Sequence, residues 1–124
     1  MNQELVLEYS EKQELRGTLE DFQGMSRVQE PGCKDELCMY LKTRREIITE
    51  IRFTITESAC PPVKACVALA AETALNKPVM EAYLIDADRL SEGFGGLPKE
   101  SMHCAMMAEI ALKKAIKDYV SKRG

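Results

Sequence analysis

The chain has 124 residues, 45% of them hydrophobic, 30% charged and 6% aromatic. That is room for one domain of roughly 100–200 residues, spanning 1–124, and too much apolar content for a disordered chain. A net charge of −3, from 17 Lys+Arg against 20 Asp+Glu, does not supply the basic face that nucleic-acid phosphates require. No stretch nears the ~20 apolar residues of a membrane helix, and the acidic opening MNQELVLEYSEK lacks an export signal's basic-then-apolar layout. The expected setting is cytoplasmic, with neither nucleic acid nor membrane as partner.

In chain order, Asn2 to about Glu14 carries Leu5, Tyr9 and Leu15 among charges and is a weak helix, with Gly17 ending it. From Glu36 the period becomes two. Leu37, Met39 and Leu41 alternate with Cys38, Tyr40 and Lys42, and Ile47, Ile51, Phe53 and Ile55 then alternate with Ile48, Glu50, Arg52 and Thr54. Two strands joined through Thr43–Glu46 make an antiparallel hairpin whose odd-numbered residues face the core.

Pro61 and Pro62 suit the first turn of an alanine-rich helix running to about Leu75, because proline lacks an N–H that would be unpaired there anyway; Asn76 marks its end. Pro78 to Glu92 reads as two short helical pieces, followed by the glycines at 93, 95 and 96, a loop able to bend. From about Lys99 to Lys122, apolar residues at 104, 108, 111, 112, 115 and 119 form one helical stripe, with lysines crowding the C-terminal half where cations suit the helix dipole. The expected class is α+β: a small antiparallel sheet of two to three strands, helices packed on one face, and a long C-terminal helix.

The five cysteines, at 33, 38, 60, 66 and 104, are an odd number in a chain read as intracellular, which favours thiol, metal or redox work over a disulfide framework. Cys104 falls on the apolar stripe in the first turns of the last helix, with His103 on its flank. Cys60 stands just before the alanine-rich helix. A helix N-terminus lowers a thiol's pKa and presents it as thiolate ligand or nucleophile. Cys33 and Asp35, spaced i, i+2 in an extended segment, point to the same side and can supply two ligands. Cys66 reads as core and Cys38 as an exposed or half-covered strand residue. The spacings 33–38 and 60–66 miss the two-residue knuckle of zinc ribbons, and no glycine-rich phosphate loop follows a strand.

Three stretches carry a resemblance. LPKESMHCAMMAEIALKKAIKDYVSKR, residues 97–123, resembles the final helix of the IscU/NifU-type iron–sulfur cluster assembly scaffold family, with its Leu-Pro entry and His-Cys pair. EIITEIRF at 46–53 resembles the strand before that family's second cysteine, and CKD at 33–35 its first-cysteine motif, normally Cys-Gly-Asp. The resemblance implies that Cys33, Asp35, Cys60, His103 and Cys104 are the cluster- or metal-binding positions, with Cys104 a candidate persulfide acceptor beside Cys33 and Cys60. It implies a scaffold rather than an enzyme: sulfur from a cysteine desulfurase, a transient [2Fe–2S] cluster, delivery to recipient apoproteins, and a possible homodimer around a shared cluster. Lys34 replaces the family glycine, Ala59-Cys60-Pro61 replaces Gly-Cys-Gly with about two extra residues at 57–59, and Leu97-Pro98-Lys99-Glu100-Ser101 keeps only the first two residues of the chaperone motif.

Two other readings keep the fold. In one, Cys33, Asp35, Cys60 and Cys104 hold Zn²⁺ and the protein is a zinc-dependent sulfur acceptor. In the other, it is a degenerate module that docks a desulfurase without building clusters.

Overall fold

A computed structural model describes residues 1–29 and 35–123. The order of elements is α1 (Gln3–Glu11), β1 (Gly24–Gln29), β2 (Glu36–Arg44), β3 (Ile47–Ile55), α2 (Pro61–Ala74), α3 (Val79–Ala82), α4 (Ala87–Gly93), a 3₁₀ turn at Lys99–Ser101, and α5 (Met102–Lys122). The strands form one antiparallel sheet in the order β1-β2-β3. The expected α+β architecture is the one observed, with α5 packed along β1 and β2 and α2 wedged against β3 and α5.

The hairpin forms where the alternation puts it, and its turn is tighter than expected. Arg45 and Glu46 both have positive φ, 54° and 66°, as a two-residue turn matched to strand twist demands. The register shifts between Lys42 and Thr43, which changes the face presented at the start of β3: Ile48 is fully buried and Ile47 only partly so. Beyond it the odd-numbered rule holds, since Leu37, Met39, Leu41, Ile51, Phe53 and Ile55 all enter the core.

The third strand, β1, has a polar and a small residue on its inner face. Ser26 is buried and donates its hydroxyl to the Ala111 carbonyl of α5 at 2.7 Å. Gly24 lies so close to α5 that a Cβ would collide with the Ala115 carbonyl oxygen and approach the Tyr119 Cβ to 2.8 Å. The backbone N–H of Met25 is taken by the Asp118 carboxylate at 2.9 Å.

Along β3, Phe53 donates to the Leu15 carbonyl and accepts from the Gly17 N–H, while Ile48 exchanges backbone bonds with Lys77 and Asn76. Asn76, just past the C-cap Leu75, has φ 69°, the left-handed position asparagine tolerates after a helix. The N-terminal helix is shorter than its sequence suggests and ends at Glu11; Tyr9 anchors it edge-on against Phe94 (5.6 Å, 83°) and donates to Glu72 at 2.7 Å. Among the described residues no helix is long and apolar enough to cross a membrane.

Candidate functional site

The alanine-rich helix α2 begins at Cys60, which caps it through its backbone: Val63 N–H donates to the Cys60 carbonyl at 3.1 Å, and the thiol makes no capping bond. Pro61 and Pro62 occupy the first two helical positions and have no N–H to offer. The Cys60 side chain is therefore left exposed at the positive end of a helix, uncommitted to its own backbone.

The loop before Cys60 is held at several points. Lys64 Nζ donates to the Glu57 carbonyl at 2.6 Å, Ala59 N–H to the Thr56 carbonyl at 2.9 Å, and Arg16 approaches the Glu57 carboxylate at 4.0 Å. Thr56 in turn joins this loop to β2: its Oγ1 accepts from Glu36 N–H at 2.8 Å and its N–H donates to the Glu36 carbonyl at 3.1 Å. Asp35, next to Glu36, is only 8% exposed. Thr56 thus brings the Asp35 end of β2 and the Cys60 loop to one end of the sheet. Nothing in the sequence singles out Thr56 or Lys64, because their work is done through backbone partners.

The third contribution comes from α5. Ser91 organises the glycine loop that leads to it, accepting from the N–H groups of Phe94 and Gly96 at its carbonyl and from Leu97 N–H at its Oγ (2.7 Å). This loop, read from its glycines as free to bend, is braced by that serine together with the Gly95 N–H donated to the Glu92 carbonyl and the Asn2 N–H donated to the Phe94 carbonyl. After Pro98 and the 3₁₀ turn, α5 starts at Met102 with no side-chain cap. Cys104 is 3% exposed, and its sulfur lies 3.6 Å from Nε2 of the exposed His103. A nearly buried thiol and a solvent-facing imidazole meet at the rim of the core, a soft and a borderline donor side by side.

Cys66 is fully buried on α2, and its thiol is pushed up to about 12, first by burial and then by the charge of Cys104. The helix that carries Cys104 packs against α2, on which Cys66 lies. Cys60 lies six residues before Cys66, about 9 Å along the helix axis at 1.5 Å per residue. Cys66 stays protonated and belongs to the core, as its sequence position suggests.

Cys38 is more covered than an outer strand residue should be. It sits on the central strand between Arg27 of β1 and Thr54 of β3, beside Tyr40, whose own pKa is raised by burial and then by Cys38. Among the described residues Cys38, Cys60 and Cys66 form no disulfide.

Of the five expected site residues, the structure therefore pairs His103 with Cys104, places Cys60 exposed at a helix start, and ties the Asp35 end of β2 to the Cys60 loop. Cys33, with Lys34, lies outside the described residues. Among the described residues no three His, Cys, Asp or Glu side chains stand together as a metal-holding group, and the set expected from the sequence needs Cys33 as well.

Comparison with known proteins points the same way as this geometry. The NifU-like N terminal domain family matches residues 1–124. The chain is 38% identical over 108 residues to the iron–sulfur cluster assembly scaffold protein IscU 1 of Archaeoglobus fulgidus, covering 87% of this chain and 69% of that one. It is 35% identical over 101 residues to the scaffold protein IscU of Escherichia coli, covering 81% and 77%. The solved N-terminal NifU-like protein of Brucella abortus superposes with a TM-score of 0.74 at 17% identity, over 95% of this chain and 93% of that one, a likeness of fold. The chain belongs to the IscU/NifU-type iron–sulfur cluster assembly scaffold family.

Proposed function

We propose that this protein is a scaffold on which iron and sulfide are built into a [2Fe–2S] cluster and then passed to recipient apoproteins. The cluster is cargo, held by Cys33, Cys60 and Cys104 with Asp35 and His103 completing the set. The observation that carries this reading is the contact of His103 Nε2 with Cys104 Sγ on a helix packed against the one that begins at the exposed Cys60. Thiolates bind iron–sulfur units firmly, whereas a carboxylate or imidazole in place of a fourth thiolate changes their charge and lability. A mixed ligand set suits a cluster that has to leave.

Cys104 is the acceptor for sulfur from a cysteine desulfurase. In that transfer the sulfur–sulfur bond of the donor persulfide breaks, a new one forms at Cys104 Sγ, and the donor leaves as a thiolate, so charge is conserved. His103 is placed to take the proton of the Cys104 thiol when the thiolate forms. We place this chemistry in the cytoplasm, where thiols are kept reduced.

Anaerobic reconstitution with ferrous iron, cysteine and a cysteine desulfurase tests the proposal. The wild-type protein is expected to develop visible sulfur-to-iron charge-transfer absorption, and a variant with Cys33, Cys60 and Cys104 all changed to serine is expected to lose it. A triple variant that assembles a cluster at wild-type yield overturns the reading. Retention of zinc with no such absorption identifies a zinc-dependent sulfur acceptor, and desulfurase docking with neither metal identifies an interaction module.

A further inference from the structure

Two exposed helix faces of opposite charge are left unused by the site. On α1, Glu4, Leu7, Glu8 and Glu11 are all exposed and fall on one stripe, with Leu7 52% exposed. None of these three glutamates is in a salt bridge among the described residues; Lys12, the cation nearest in sequence, is committed to Glu72 and to the Tyr9 ring. The helix has no basic residue in its last turn, and a carboxylate at Glu11 works against the negative end of the helix dipole. The acidic stripe therefore costs the isolated helix some stability.

On α5, Met106, Ile110, Lys114, Lys117 and Val120 form the corresponding exposed stripe, at spacings of four, four, three and three. Beside it α3 presents Met80, 64% exposed. Between the two lies a groove of about 280 Å³ lined by Met80, Tyr83, Ile116, Lys117, Val120 and Ser121. Lys113 and Lys117 stand 5.4 and 6.0 Å from the Tyr83 ring centre. Lys113 is paired with Glu109, whereas Lys114 and Lys117 have no carboxylate partner among the described residues. The first face offers one apolar knob among acids, and the second an apolar groove with Lys114 and Lys117 on its α5 side and the exposed Glu81 on α3.

We infer that a second copy of this chain docks its α1 stripe on the α3–α5 groove, Leu7 entering between Met80 and Val120 with Glu4, Glu8 and Glu11 facing Lys114 and Lys117. Charge complementarity selects the occupant, since both halves of the contact are present on one molecule and the α1 acids and the α5 lysines are each a row of like charges. The contact joins two different faces, so each added copy leaves one free face of each kind and association proceeds head to tail. A nine-residue helix spans only about 13 Å, far less than a standard interface of about 1,600 Å² requires, so the association is weak and salt-sensitive. It requires neither metal nor cysteine, so it stands or falls independently of the cluster chemistry.

Sedimentation velocity across a concentration series, with reductant and a chelator present, tests this. At about 20 mM salt the weight-average sedimentation coefficient is expected to rise with concentration, and at about 500 mM salt the rise should vanish, the Debye length having shrunk to a few ångströms. Glu4→Lys with Glu8→Lys, or Lys114→Glu with Lys117→Glu, should each weaken self-association at least tenfold while leaving the circular dichroism spectrum unchanged. An equimolar mixture of the two variants should associate again, because each then offers the charge the other lacks. A wild-type protein monomeric at every concentration, association indifferent to salt, or a mixture that stays monomeric overturns the inference.

Discussion

The two ends of α5 are held in opposite ways. At its C-terminal end Asp118 takes the Met25 N–H and pairs with Lys122 at 2.9 Å, while Glu46 at the hairpin turn receives both the Tyr119 hydroxyl and the Arg123 guanidinium. Ser26 and Gly24 let β1 close directly on the helix backbone. At its N-terminal end the helix has no side-chain cap, is entered through a 3₁₀ turn, and carries His103 and Cys104. The end of α5 away from the candidate site is thus tied by side chains to β1 and the hairpin turn, whereas the end that carries His103 and Cys104 starts without a capping side chain.

The largest effect that would sharpen this contrast is in thiol reactivity. With its thiol pushed up to about 12, Cys66 is thiolate in about one molecule in ten thousand at pH 8. Iodoacetamide followed by mass spectrometry should label the exposed Cys60 and leave Cys66 untouched until the protein is unfolded. Labelling of Cys66 at the rate of Cys60 would show that the core behind the site is open.

Next comes packing at the fixed end. Gly24→Ala drives a Cβ into the Ala115 carbonyl and against Tyr119, an overpacking expected to cost about 3 kcal/mol in denaturant unfolding. At the other end Ser101 makes no capping bond, so Ser101→Ala should change stability by less than about 0.5 kcal/mol. Equal losses from the two would erase the difference between the ends.

A smaller loss is expected from Asp118→Asn, about 1 kcal/mol at neutral pH after discounting for the partial exposure of its pair with Lys122. The Lys122 ammonium, together with the Met25 N–H, holds the Asp118 carboxyl below its usual 3.8. A depressed folded-state pKa gives stability that is present above 3.8 and lost as the pH falls through the folded value. The gap between wild type and variant should therefore narrow below about pH 4. A gap that widened there would contradict the assignment.

The sequence makes these ends legible to different degrees. Alternation reveals β2 and β3, and helical spacing reveals α2 and α5, because burial imposes those periods on apolar residues. No such period marks β1: its inner positions are Gly24 and Ser26, chosen for close approach to α5 and for a hydroxyl bond to Ala111. The shift at Lys42/Thr43, which exchanges Ile47 for Ile48 in the core, is a pairing event that one strand's pattern does not encode.

At the site, Cys60 and Cys104 are readable as thiols at helix starts. The connections made by Thr56, Lys64 and Ser91 are not, since any residue's backbone can supply their partners. Cys38 is misjudged because a central strand is covered from both sides by its neighbours.

A three-stranded sheet has two raw margins, each a row of amide groups that could recruit a stranger's strand and seed fibrils. Here the Asp118 carboxylate plugs the margin of β1. The segments around Leu15–Gly17 and Asn76–Lys77 plug that of β3. Both margins of the sheet are thereby partly covered, and the cheapest route to edge-to-edge aggregation narrowed, by one side chain and two short pieces of the chain's own backbone.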